Sequence, residues 1–369
     1  MKKHKRNDVC WCGSNEKYKN CHLNRDKMKK PELWEVNNDL KKSFDKKYCS
    51  CPVQMKHECN GKIINSHTVS KGASLSSIAE NNHVCGLKVD LFKIDEGNGF
   101  IEPELIGVNK ASTFTGFCAY HDKTLFSPFE NSVFSYTKEQ IFLLSYRTLS
   151  REHFLKEAHH DSQKILELGD AGLGLLEQIG FQKFLAAHKK SMELGIRDSL
   201  YHKNAYDAAL LDKAYDKMRS IVIKFNKFLP FQFSGTHYPV VNLDGAKIQS
   251  LADDKTLDLI CMATINDEKC SYLVISWLNE NHGACTNLSE SIISKSNDLL
   301  SQGIVNYIYS HFENVYSQPS WWNGLPKKEK TFILNSIQPL HQYSPIKNDE
   351  FNFHDCIIDS IFLNTCPPH

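Results

Sequence analysis

CWCGSNEKYKNCH, residues 10–22, places Cys10 and Cys12 one residue apart, Cys21 and His22 side by side, and eight residues between the pairs. Three thiols and one imidazole at this spacing make a closed tetrahedral shell, the arrangement of a structural zinc ion. Gly13 permits a sharp turn after the first pair, and Lys17, Lys19 and Arg25 keep the surroundings basic. The segment is otherwise too polar to fold around a core of its own, so bound metal is expected to organise it.

The residues Asn7, Asp8, Cys10, Cys12, Gly13, Ser14, Lys17, Tyr18, Cys21 and His22 resemble the SEC-C motif. That motif is the small zinc module at the C-terminus of the bacterial translocation ATPase SecA, and it is attached to many unrelated proteins. Trp11 stands where the family often carries Pro, and Asn15 where Gly is frequent. The resemblance spans residues 7–23. It implies zinc, a docking role and a bacterial source, and is silent about the remaining chain.

A chain of 369 residues has the length for two or three domains. Its 41% hydrophobic and 24% charged residues place it among ordinary soluble globular proteins rather than disordered chains. The net charge of +1 hides an asymmetry, because residues 1–30 hold ten Lys or Arg against three acids. Such a cationic patch suits an acidic protein surface, RNA or DNA. The charged start lacks the apolar stretch of a signal peptide, and no run of 18 apolar residues is present to span a membrane. The 13 cysteines are odd in number and cluster with histidines, which fits metal-held thiolates in a reducing cytoplasm better than a disulfide framework.

A second cluster follows: Cys49, Cys51, Cys59, His67, Cys85, Cys118, His121 and Asp122. Two residues separate Cys118 from His121, a loop spacing that lets both reach one metal. Cys51, Cys59, Cys118 and His121 are expected to form a second zinc site, with Cys49 as the substitute donor. The order of a cysteine pair, a short strand, INSHTV, an insert and FCAYHDKTLF resembles an HNH-type treble-clef nuclease. That resemblance implies that His67 is a general base, that Cys118 and His121 hold structural zinc, and that Mg or Mn serves at the scissile phosphate. Ser66 stands where the family usually has Asp, His or Glu, and Phe126 falls near the position of its final histidine; Asp122 or Glu130 could substitute.

The expected fold class is α+β and multi-domain. Its parts are a zinc module at 1–30, a treble-clef-like Cys/His-rich segment at 45–132, a helical region at 137–229 and an α+β domain at 230–369. GKIIN and HVCGLKV read as short strands. Thr137 and Gln140 have capping-box spacing before Ile141–Leu144, and a helical pattern runs to about Leu229, broken near Gly169–Gly174 and Gly195. Leu210, Ala214, Met218, Ile221 and Phe225 continue that pattern as a core stripe. FQFSGTHYPVV, LDLICMATI and CSYLVISWL read as strands, followed by helices near 288–300 and 304–316. His159 and His160 read as a solvated face, Cys285 near His282 as a loop cysteine, and Trp321 and Trp322 as core anchors. No Walker loop or dinucleotide fingerprint is present. Two functions follow: a zinc-binding adaptor or nucleic-acid-associated protein, or a metal-dependent HNH-like endonuclease centred on His67.

Overall fold

Four apolar runs, MRSIVIKF, FQFSGTH, ICMATIN and SYLVISWL, are rich in β-branched and aromatic residues, and each forms a strand. The computed structural model describes residues 4–87, 101–251, 255–279, 283–338 and 357–364. Its strands are β1 (Ile63–His67), β2 (His83–Gly86), β3 (Glu104–Gly107), β4 (Thr113–Cys118), β5 (Met218–Phe225), β6 (Phe231–His237), β7 (Ile260–Asn266), β8 (Ser271–Leu278), β9 (Val315–Ser317) and β10 (Ile358–Asn364). The larger sheet runs β10-β5-β8-β7-β6-β9-β2-β3, with antiparallel neighbours, and β1 pairs with β4 in a separate two-stranded sheet.

Beside the short helical turn Ser76–Ile78, the helices described are α1 (Tyr18–Cys21), α2 (Leu33–Ser43), α3 (Ala119–Glu130), α4 (Lys138–Leu166), α5 (Leu175–Leu211), α6 (Gly283–Ile293), α7 (Asn297–His311), α8 (Pro319–Gly324) and α9 (Lys327–Ser336). Among the described residues, none is long and apolar enough to cross a membrane. The mixture of helices and sheet is the expected α+β class.

Every residue of β7 and β8 is buried, so both faces of the central sheet are covered. On one side Ile221, Ile223, Leu273 and Ile275 join a core with Leu288 and Ile292 of α6 and Ile304 and Ile308 of α7. Trp322 belongs to this core and Trp321 packs against it, the anchoring role expected for the pair. Where α4 meets the strands, small hydroxyl residues allow a close approach: Ser145 Oγ lies 2.6 Å from Ser276 Oγ, and Thr148 Oγ1 lies 2.7 Å from Ser234 Oγ. These pairs satisfy each other in a buried setting that would penalise a lone hydroxyl.

Among the described residues the chain divides into a smaller unit, residues 4–46 and 155–197, and a larger one holding the rest. The parts are interleaved in sequence. Strand β2, from the Cys/His-rich segment, pairs with β9 of the C-terminal segment, Cys85 opposite Ser317. Gly86 is needed at that pairing, since a Cβ there would come within 2.6 Å of the Tyr316 ring.

The helical stripe predicted through Phe225 is corrected by the structure. Helix α5 ends at Leu211, and Met218–Phe225 is the strand β5, pairing Ile221 with Ile275 and Val222 with Val274. A strand buried on both faces is apolar nearly throughout, so it satisfies helical spacing as readily as its own. The C-terminal helices also begin earlier than predicted, because the chain leaves helix after Ile293 and Ser296 is extended before α7. Residues 315–317 form β9 rather than a helix end. The Thr137 signal holds in part: its Oγ1 accepts from the Gln140 N–H at 3.2 Å, while the Gln140 side chain turns to Ser135, Pro128 and Val133 instead.

Ile223 is fully buried between β8 and β10. Ile223→Ala is expected to cost about 2–5 kcal/mol by leaving a cavity. The check is the urea midpoint of the full chain, which falls if β5 is central to the core and stays fixed if it is not.

Candidate metal centres

In the first centre, local backbone geometry does most of the gathering. Gly13 and Asn15 take positive φ (84° and 61°), turning the chain back so that Val9 bridges Lys17 and the Cys10 N–H donates to Glu16 O at 2.8 Å. The single turn α1 then presents Cys21 and His22 to the first pair. The four ligand atoms all lie within 4.8 Å of one another. His22 Nδ1 is 3.3 Å from Cys10 Sγ and 3.0 Å from Cys21 Sγ, and Cys12 Sγ is 3.5 Å from Cys21 Sγ. A tetrahedral zinc with bonds of about 2.3 Å to sulfur and about 2.0 Å to nitrogen has ligand edges of roughly 3.5–3.8 Å. The donor set and its edges fit that ion, with slight tightening around His22.

The other imidazole nitrogen is equally constrained. His22 Nε2 donates to Asp170 Oδ2 at 3.0 Å, and Asp170 is fully buried in the turn between α4 and α5. Arg25 Nε stands 2.5 Å from Asp170 Oδ1, and Gln182 Nε2 donates to Oδ2 at 2.8 Å. A carboxylate behind a ligating histidine fixes its tautomer and strengthens its free lone pair. Burial holds the His22 pKa below its ordinary value while Asp170 opposes the shift. The Gly169–Gly174 break predicted from sequence forms this turn, where the Gly172 N–H donates to Arg25 O at 2.9 Å. Gly172 has φ of 78°, and a Cβ there would meet Met28 O at 3.0 Å. Trp11, in the position where Pro is frequent, lays its ring 4.4 Å from that of His22.

In the second centre, Cys118 caps α3 and accepts from the His121 N–H at 3.5 Å, which sets both residues on one side of the helix start. His121 Nδ1 is 3.3 Å from Cys118 Sγ, 3.5 Å from Cys59 Sγ and 3.6 Å from Cys49 Sγ. Cys49, Cys59, Cys118 and His121 are the four whose ligand atoms lie within 4.8 Å of one another. Cys51, expected in the shell, lies outside that group with its Sγ 3.9 Å from Cys59 Sγ, and Cys49 takes the fourth place. The Cys49–Cys51 segment is pinned from several sides. The Ser50 N–H donates to Gly116 O at 2.7 Å, Tyr146 OH donates to Ser50 O at 3.1 Å, and Lys56 Nζ donates to Cys49 O.

His67 ends β1, and its Nε2–H donates to Val108 O at 2.9 Å, leaving the Nδ1 lone pair uncommitted by that bond. Burial lowers its pKa. Ser66 Oγ donates to the Asp122 carboxylate, whose pKa burial raises. Glu130 accepts from Arg147 Nη1 at 2.6 Å, and the Arg147 guanidinium is buried against the rings of Phe126 and Phe129, 4.8 and 4.7 Å away. Among the described residues, His67, Asp122 and Glu130 do not converge as a group of metal donors. Cys85, Cys261, Cys270 and Cys285 are buried, and Cys85 and Cys285 lie in the main core. His282 lies outside the described residues.

The SEC-C motif family matches the chain at residues 6–24, the segment that builds the first centre. No curated protein and no solved structure matches the chain. A zinc-binding α+β protein carrying a SEC-C motif is what the fold and the centres define.

Sequence reasoning missed Asp170 and its partner role. It lies 148 residues from His22, and nothing in GDAGLG marks it as the carboxylate behind a metal ligand. Asp170→Asn keeps the shape but removes the charge, and is expected to weaken zinc at the first centre by roughly 10–100-fold. Competition with a chromophoric chelator measures this; an unchanged affinity removes Asp170 from the support of that site.

Proposed function

We propose that the chain is a zinc-organised docking protein whose SEC-C module captures an acidic partner, as an adaptor or as a nucleic-acid-associated protein. The observation that carries this is the surface of the first centre. All four donors face inward on one another, so the module offers no open position for chemistry. Outside them, Lys5, Arg6, Lys17, Lys19, Lys27, Lys29 and Lys30 are exposed against Asp8, Glu16 and Asp26. A fixed, cationic, non-catalytic module is suited to hold a polyanion by charge.

Reversing two of these charges, Lys17→Glu with Lys19→Glu, leaves the ligands untouched. Anisotropy titrations of labelled RNA, single- and double-stranded DNA, and polyglutamate as an acidic-protein probe are then compared with the parent chain over a salt series. Binding to at least one probe is expected to weaken, with the salt slope shallower by about 1–2 for a nucleic acid. If every interaction survives the reversal unchanged, the docking reading fails.

The second reading, a metal-dependent HNH-like endonuclease, draws on the local order around His67. Strands β1 and β4 pair antiparallel, β4 leads into α3, which carries His121 just after Cys118, and the Val108 carbonyl fixes the His67 ring with one nitrogen left to take a proton. A divalent ion at such a site would stabilise charge on a phosphate. Plasmid nicking in Mg or Mn, lost in His67→Ala, is the outcome this reading requires. Nicking that is absent or insensitive to that substitution discards it.

A further inference from the structure

The first centre has four donors for four positions, whereas a fifth group, the Cys51 thiol, stands beside the four donors of the second. We propose that Cys59 and Cys51 are a peroxide-sensitive thiol pair, a modification site at which a two-electron oxidant turns Cys59 from a metal donor into half of a disulfide. The inference rests on reading Cys49, Cys59, Cys118 and His121 as a zinc shell.

Three features of the site point this way. Cys51 stands outside the group of four, yet its Sγ is 3.9 Å from Cys59 Sγ. Exposure is divided between the two: Cys51 is buried at 4%, while Cys59 is partly exposed and flanked by exposed Glu58 and Asn60. A small oxidant from solvent therefore meets Cys59 first, and Cys51 waits behind it. The chain joining them is Pro52 and the short 3-10 turn Val53–Glu58, which buries no residue and can shift without opening the core. The sulfurs must close to about 2.0 Å, a movement of about 2 Å.

The chemistry balances with hydrogen peroxide as the oxidant. The Cys59 sulfur attacks one peroxide oxygen, the O–O bond breaks, and a sulfenic acid forms as the other oxygen leaves in water. The Cys51 sulfur then bonds to that of Cys59. The S–O bond breaks, and the hydroxyl departs as water with the Cys51 proton. Counted from two thiols, two electrons and two protons have passed to peroxide. Cys49, Cys118 and His121 remain, a shell short of one donor that holds metal weakly. In the first centre Cys12 and Cys21 are also close, but both belong to the shell, so no spare thiol stands by to complete the exchange.

The test uses the zinc-loaded full chain, with zinc release followed by a chromophoric indicator during peroxide treatment. Trypsin cuts after Lys56, so fragments 48–56 and 57–62 stay joined only through a disulfide. The parent chain is expected to yield the joined fragment and to release one zinc equivalent, both reversed by a reductant and fresh zinc. Cys51→Ala is expected to hold the same zinc before oxidation, to give no joined fragment, and to release zinc roughly tenfold more slowly. Loss of an equivalent in Cys51→Ala before oxidation makes Cys51 a ligand and overturns the proposal, as does release at the parental rate. A parent chain that binds zinc at the first centre alone overturns the zinc reading of the second centre and the thiol pair with it. Two equivalents that survive peroxide overturn the thiol pair alone.

Discussion

Thiolates gathered within 4.8 Å repel one another unless a cation sits among them, and both Cys/His centres are built around that constraint. The segment that supplies the first four donors has little apolar surface to offset the crowding. Residues 10–22 bury only Cys10 and His22, and the turn Val53–Glu58 buries nothing. Metal binding and local folding are therefore one event at the first centre, whereas β4 and α3 carry Cys118 and His121 on a frame with Phe114, Phe117 and Phe126 buried.

The two centres handle the supporting groups differently. His22 spends its second nitrogen on a buried carboxylate, which is itself held by Arg25 and Gln182. That network fixes the first ring in one tautomer. Behind His121 the nearest carboxylate oxygen, from Glu58, is 3.8 Å from Nε2, a looser arrangement. Support at the second centre goes to the backbone of the cysteine pair instead, through Tyr146, Lys56 and the Ser50 amide. Tyr146 OH also stands 2.7 Å from the Asp207 carboxylate, and buried Lys203 contacts both. One centre is thus tightened through its imidazole and the other through its cysteine-bearing chain.

The β5 segment shows how a sequence signal can be real and still mislead. Ile221 and Phe225 are spaced as in a helix, and α5 runs directly before them. What separates strand from helix there is the company the segment keeps: β8 on one side and β10 on the other supply its backbone partners. Those partners come from residues 271–278 and 358–364, beyond any local window. The strands 231–237, 260–266 and 271–278 were legible because Gly, Pro and Asn-Asp turn signals bound them.

The sequence by itself determined the donor chemistry: Cys10, Cys12, Cys21 and His22 as a complete set, and Cys118 with His121 as a pair that reaches one point. Short spacing makes this so, since backbone geometry over a few residues leaves few places for the side chains to go. Tertiary structure alone decided that Cys49 rather than Cys51 joins the second group, that Asp170 stands behind His22, and that β2 enters the C-terminal sheet. Two cysteines one residue apart are equivalent until the rest of the fold chooses between them. A carboxylate 148 residues distant has no partner until the turn between two long helices brings it there.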